Sequence, residues 1–168
     1  MTLQRTLQKQ GSIFSSTSDT ETILHLIATS SGKDVNSRFI DAVRQLEGAF
    51  SLVALSSTKM IGCRNALGIR PLVLGERDGA WILASETCAL DIIGARFVRD
   101  LKPGEMVIVT AEGVESLFPF EKQKPRFCIF EYVYFSRPDS SVEGRNVYEA
   151  RKKMGLSSPS RTRSMPIS

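Results

Sequence analysis

Hydrophobic positions along the chain change their period near residue 49. Before it they recur at helical spacing. Val35, Phe39, Ile40, Val43 and Leu46 share one side of a 3.6-residue turn, with Lys33, Asp34, Arg38, Asp41 and Arg44 mainly on the other. That pattern predicts an amphipathic helix stopped by Gly48. An earlier helix is predicted from Ser18, with an apolar face of Ile23, Leu24, Leu26 and Ile27 and a close at Ser30-Ser31-Gly32. Ser18 and Glu21 have the spacing of a capping box, in which each side chain satisfies the other's backbone amide. A polar helical segment over 3–10 precedes both.

After residue 49 the apolar and β-branched residues gather into short runs at 49–55, 59–64, 72–76, 81–84, 97–100, 106–110 and 114–119. Such runs read as strands. Arg77-Asp78-Gly79 and Ala111-Glu112-Gly113 separate neighbouring runs as hairpin signals, because glycine takes positive φ without steric cost. A short helix is expected over 87–93 and a last one over 146–154. The aromatic run Cys128-Ile129-Phe130-Glu131-Tyr132-Val133-Tyr134-Phe135 is expected as a strand that buries Cys128, ended by Arg137-Pro138-Asp139. Helices followed by antiparallel strands describe an α+β fold, a sheet covered by helices. From Leu156 onward the chain loses its period and is rich in Ser and Pro, the composition of a disordered tail.

Composition narrows the function classes. With 168 residues, 42% hydrophobic and 24% charged, the sequence is that of a globular protein with a core of its own. No apolar run approaches the roughly 20 residues of a membrane span. The first residues lack an apolar signal stretch, so a cytoplasmic location is expected. Cys63, Cys88 and Cys128 are odd in number and widely spaced, which argues against a disulfide framework or a self-contained zinc site. Of the net charge of +4, half comes from Arg161 and Arg163, and no basic–aromatic stripe marks a nucleic-acid surface. The only histidine, His25, lies inside a predicted helix and reads as structural. Neither a nucleophile–base pair, a metal-ligand cluster nor a phosphate loop stands out.

A more specific lead comes from motifs in order. Gly11-Ser12-Ile13-Phe14, Ser18-Asp19-Thr20-Glu21, Glu47-Gly48-Ala49-Phe50-Ser51, Ala66-Leu67-Gly68-Ile69-Arg70-Pro71-Leu72, Ala84-Ser85-Glu86-Thr87-Cys88-Ala89-Leu90-Asp91, Leu101-Lys102-Pro103-Gly104-Glu105 and Phe130-Glu131-Tyr132-Val133-Tyr134-Phe135-Ser136-Arg137-Pro138-Asp139-Ser140 together resemble the amidophosphoribosyltransferases. The resemblance runs from about residue 3 to 155. It implies an incomplete N-terminal-nucleophile hydrolase sandwich of the class II glutamine amidotransferase type. Residues 1–135 would be a partial glutamine amidotransferase domain, 136–155 a junction toward a phosphoribosyltransferase domain, and 156–168 an unrelated tail.

The implied activity transfers glutamine-derived ammonia to phosphoribosyl pyrophosphate, giving phosphoribosylamine in purine biosynthesis. Magnesium is the family's cofactor, and some members hold an iron–sulfur cluster. The family's amino-terminal Cys nucleophile, the Asn and Gly of its oxyanion hole and its pyrophosphate loop have no match in these residues. A fragment inactive by itself, with no catalytic residue or cofactor of its own, is therefore expected. Carried over residue by residue, Asp19 matches the Asp that pairs with the α-amino group of glutamine, and Cys128 matches a cluster-ligand position of the iron–sulfur members. An acid in the first helical turn is favoured by the helix dipole in any case. Where the family commonly reads Arg-Asp-Pro, this chain has Arg64-Asn65-Ala66. The alternative reading is a non-enzymatic binding or regulatory module that self-associates through exposed sheet edges.

Overall fold

The computed structural model describes residues 2–157, and the chain divides into two compact units between Gly48 and Ala49. The helical unit contains α1 (Thr2–Lys9), α2 (Asp19–Thr29) and α3 (Val35–Val43). Gly11, at φ +96°, lets the chain turn out of α1 while the Ser12 amide donates to the Leu7 carbonyl at 3.0 Å. Leu7, Leu26 and Ala42 form the unit's buried centre, with Leu3, Phe14, Ile27 and Leu46 packed around them. Of the predicted stripe on α3, Phe39 and Val43 are buried, whereas Val35 is 45% exposed. The helix ends at Val43, and a turn with Leu46 N–H on the Val43 carbonyl brings Leu46 back to the core.

The capping box expected at Ser18 forms elsewhere. At α3 the Asp34 carboxylate accepts from the Ser37 amide at 2.8 Å and Ser37 Oγ accepts from the Asp34 amide at 3.1 Å. Ser18 does cap α2, but Glu21 reaches past it to the preceding loop.

The second unit is built on antiparallel strands: β1 (Ser51–Leu55), β2 (Met60–Arg64), β3 (Val73–Arg77), β4 (Ala80–Ala84), β5 (Arg96–Asp100), β6 (Met106–Thr110) and β7 (Gly113–Leu117). They make one sheet in the order β1-β2-β6-β7 and another in the order β4-β3-β5. The predicted Asp78-Gly79 hairpin is present, both residues at positive φ, between the paired Arg77 and Ala80. Leu72, Leu74, Leu101 and Val107 fill the space between the sheets, flanked by Trp81, Leu83, Val98 and Val114. The sheets approach closely at Gly62 of β2, where an added Cβ would lie 2.5 Å from Leu83 Cδ1 of β4.

The other face of the β4-β3-β5 sheet is covered by α4 (Thr87–Ile92) through Leu90, which packs on Val73 and Ala95. This unit therefore stacks a short helix on one sheet and that sheet on another, the layered arrangement expected of an α+β fold. Gly75 is where helix and strand meet. A Cβ there would sit 2.6 Å from Leu90 Cδ2 and 3.2 Å from the Arg96 carbonyl, and the β3–β5 register shifts between Leu74 and Gly75. A glycine at such a bulge admits both the irregular strand and the helix side chain.

Residues 128–135 are not the expected strand. Glu131–Phe135 form a single π-helical turn, closed by the Ser136 amide on the Glu131 carbonyl at 3.0 Å. After it come the small hairpin β8 (Ser141–Val142) and β9 (Arg145–Asn146), then α5 (Val147–Ser157). Tyr132, Val142 and Val147 pack together there. Helix α5 includes Leu156 and Ser157, and the remainder of the expected tail, 158–168, lies outside the described residues. Among the described residues no helix is long and apolar enough to cross a membrane.

Gly75→Ala is expected to lower unfolding stability by about 1–3 kcal/mol, the range for overpacking a filled core. Equilibrium urea denaturation measures it, and the companion variant Gly75→Ala with Leu90→Val should recover part of the loss by moving the clashing methyl.

Candidate functional site

Asp19, the residue singled out for ligand binding, is the first residue of α2. Ser18 before it is extended, at φ −71° and ψ 132°, and its Oγ accepts from the Thr20 amide at 3.3 Å. Glu21 holds the preceding loop. Its carboxylate accepts from the Ser15 and Ser16 amides at 2.7 and 2.8 Å and from Ser16 Oγ at 2.6 Å. The Ser16 hydroxyl first, then the Ser15 amide, hold the Glu21 carboxyl below the usual carboxylate range. Glu21 thus takes up the local donors. Asp19 is exposed and its carboxylate makes no hydrogen bond or ion pair among the described residues. His25 rests against Phe14, ring centroids 4.4 Å apart, with Glu21 Oε1 4.0 Å from its Nε2, so it braces the same loop.

In the strand unit the family-like motifs converge on a polar lattice. Arg64, at the end of β2, is 1% exposed. Its Nε donates to the Arg70 carbonyl at 2.8 Å, Nη1 to the Leu101 carbonyl at 2.6 Å, and Nη2 to the Gly68 carbonyl and Glu143 Oε1 at 2.8 and 2.7 Å. Asn65 follows it. Its amide donates to the Phe50 carbonyl, its own carbonyl accepts from the Gly68 and Gly104 amides, and its Oδ1 accepts from the Ile69 amide. The exchange of Asp for Asn at this position keeps the oxygen acceptor that the turn uses.

Other motif residues are committed in the same way. Arg70 Nη1 lies 2.7 Å from Glu131 Oε1 as a charge contact, without an aligned hydrogen bond, and the guanidinium stands 4.4 Å above the Phe135 ring. Glu86 accepts from the Arg137 amide and Ser140 Oγ, both at 2.8 Å, while Thr87 Oγ1 accepts from the Ser141 amide. Glu105 takes both Arg99 nitrogens at 2.7 and 2.9 Å, together with the Lys102 amide and Ser116 Oγ. These buried and half-buried acids and bases tie loops together. Sequence reasoning missed this lattice because its members lie up to 79 residues apart, as Arg64 and Glu143 do.

The cysteines occupy three environments. Cys63 is wholly buried in β2, and burial pushes its thiol up to about 12. Cys88 is buried in α4 with Sγ 3.8 Å from Glu86 Oε2. Cys128 is half-buried in the loop before the π turn, its amide on the Ile69 carbonyl, rather than inside a strand. A cluster needs several thiolates around it. Among the described residues no group of three or more His, Cys, Asp or Glu side chains is placed to hold a metal ion, so Cys128 by itself does not fit an iron–sulfur centre.

Asp100 gives the lattice a pH dependence. Burial raises its carboxyl above the usual range, the neighbouring Glu143 charge raises it further, and Arg64 opposes both. A carboxyl raised on folding binds its proton more tightly in the native state, so stability falls as pH rises from the ordinary Asp range through the raised one. Asp100→Asn should therefore stabilise the protein at pH 7 more than at pH 4. Urea midpoints at the two pH values measure the difference.

Comparison with known proteins bears on both units. A family model for the glutamine amidotransferase domain matches residues 1–91. The chain is 52% identical over 161 residues to amidophosphoribosyltransferase of Rhizobium etli, covering 93% of this chain and 32% of that protein. It is 40% identical to the Bacillus subtilis enzyme, covering 91% of this chain and 32% of that one. The solved structure of glutamine phosphoribosylpyrophosphate amidotransferase from B. subtilis, complexed with ADP and GMP, superposes with a TM-score of 0.90 at 40% identity, over 92% of this chain and 34% of that one. The chain thus spans about a third of the length of these relatives. It belongs to the glutamine amidotransferase domain family.

Proposed function

We propose that this chain supplies the glutamine α-amino recognition element of an amidophosphoribosyltransferase and that its 168 residues do not by themselves release ammonia from glutamine. The observation that carries the first part is the uncommitted Asp19 carboxylate, held at the start of α2 by a loop whose amides Glu21 has satisfied. A carboxylate so placed takes an ammonium group without giving up an internal bond, and charge-assisted pairing of this kind is strong and directional. Asp19 acts as an anchor; it makes and breaks no bond of the ligand.

The second part rests on the thiols. Amide hydrolysis by cysteine needs a thiolate beside a base. Cys63 stays protonated at neutral pH because its thiol is pushed to about 12, and Cys88 is buried against Glu86. His25 is engaged with Phe14 in the helical unit. The wider reaction we assign to the protein is transfer of glutamine-derived ammonia to phosphoribosyl pyrophosphate in purine biosynthesis, with the phosphoribosyl chemistry and its magnesium outside the matched third. We place the protein in the cytoplasm, where three free thiols stay reduced; plant relatives are described as chloroplastic.

A second reading draws on one observation. Val53 and Leu55 on the edge strand β1 are 52% and 81% exposed, which supports self-association through that edge.

Titrating the isotope-labelled chain with L-glutamine should shift the amides of Ser18–Glu21, whereas N-acetyl-L-glutamine, which lacks the ammonium, should not. Asp19→Asn should weaken the effect about 10- to 100-fold, the range for losing one charged hydrogen bond. Equal shifts from both ligands would overturn the role of Asp19, and measurable ammonia release from L-glutamine would overturn the proposed inactivity. For the second reading, analytical ultracentrifugation should show a concentration-dependent dimer that Leu55→Lys removes; a monomer throughout excludes it.

A further inference from the structure

The segment 118–126 has no helix or strand and passes over the Lys102-Pro103-Gly104 turn, enclosing a cavity of about 480 Å³. That volume suits a small molecule. The wall is fixed from two directions. The Phe120 ring leans on Phe50 with centroids 6.1 Å apart, and the Arg126 amide donates to the Leu67 carbonyl at 2.7 Å. Small residues keep the floor open: at Gly104, φ +76°, a Cβ would come 3.6 Å from Ala66 Cα and 3.7 Å from Phe120 Cδ2. Phe118, 57% exposed, stands at the lining.

The charged side chains of the lining are two lysines and one glutamate, with Gln123 as the neutral polar group. Lys102 and Lys122 both line the cavity, and neither ammonium group makes a hydrogen bond or ion pair among the described residues. The nearest turn acid, Glu105, is consumed by Arg99, Ser116 and the Lys102 amide. Glu121 is the single acid in the lining. An apolar, aromatic chamber with two uncommitted cations and one acid is complementary to a planar ring carrying one anionic group. It is a poor match for a polyanion or for a neutral apolar ligand.

We infer that this cavity is a binding site for a small aromatic anion, its ring against Phe118 and Phe120 and its phosphate or carboxylate between Lys102 and Lys122. The site belongs to the strand unit alone and is independent of Asp19. Phosphate monoester and carboxylate present the same chemistry to two lysines, so the test carries both.

The probes are 1-naphthyl phosphate, 1-naphthoate, neutral 1-naphthol and inorganic phosphate, each titrated into the isotope-labelled chain. One or both naphthyl anions should give saturable amide shifts at Gly104 and Lys122, and their relative affinity distinguishes a phosphate ligand from a carboxylate. Naphthol and inorganic phosphate should each bind at least about tenfold more weakly, since each lacks half of the recognition. K102E combined with K122E should lower affinity for the better anion about tenfold or more, both lysines being exposed and the fold unaffected. Phe130→Ser, in the exposed aromatic turn, should leave binding unchanged. The inference is overturned if neither anion gives a saturable shift below about 10 mM, if naphthol binds as well as the anions, or if the shifts centre on residues 129–135.

Discussion

The strand unit is organised around one buried cation. Arg64 has lost its water to the core, and a desolvated guanidinium is tolerable only when its donors are met. Three backbone carbonyls and one carboxylate meet them: Arg70, Gly68, Leu101 and Glu143. The four partners come from three separate stretches of chain. The turn after β2, the end of β5 and the β8–β9 hairpin are thereby fixed to a single point, and removing any one of them would leave a buried charge short of a partner. Glu143 itself holds a positive φ of 49°, uncommon for a residue with a side chain, at the tip of a two-residue hairpin. The bond to Arg64 is a physical reason for that backbone to persist.

Around this centre the other motifs of the family resemblance act as fasteners. Glu86 and Thr87 at the start of α4 receive the Arg137–Ser141 stretch, Glu105 clamps Arg99 and Ser116, and Glu131 is held by Arg70 and the Ser136 hydroxyl. The charged and hydroxyl groups of these motifs are spent on holding irregular loops. The helical unit uses its charge differently. Glu21 satisfies a loop, whereas the Asp19 carboxylate two residues before it makes no hydrogen bond or ion pair among the described residues.

Geometry also explains the departures from the simplest reading of the chain. Glu21 bonds to Ser15 and Ser16 because the loop before Ser18 folds back on α2 and offers two amides and a hydroxyl, more than the single amide of a capping box. The aromatic run at 128–135 has the composition of a buried strand, yet Ile129, Phe130, Val133, Tyr134 and Phe135 are all exposed and Glu131 is buried. A π turn results because Glu131 is drawn inward toward Arg70 while the Tyr132 hydroxyl donates to the Val142 carbonyl at 2.6 Å. Those are long-range contacts, which alternation along the chain does not encode.

Legible along the chain alone are the change from helices before residue 49 to antiparallel strands after it, the Asp78-Gly79 hairpin, and the family resemblance carried by short motifs in order. Periodicity, turn chemistry and motif order are local properties, set by residues that neighbour one another along the chain. The folded chain alone reveals that the strands form two sheets meeting at Gly62 and Leu83, that Arg64 is the buried hub, and that the Asp19 carboxylate makes no hydrogen bond or ion pair among the described residues. The physical reason is the same in each case: burial and hydrogen-bond satisfaction depend on partners remote in the chain, such as Arg64 and Glu143 or Glu86 and Ser140.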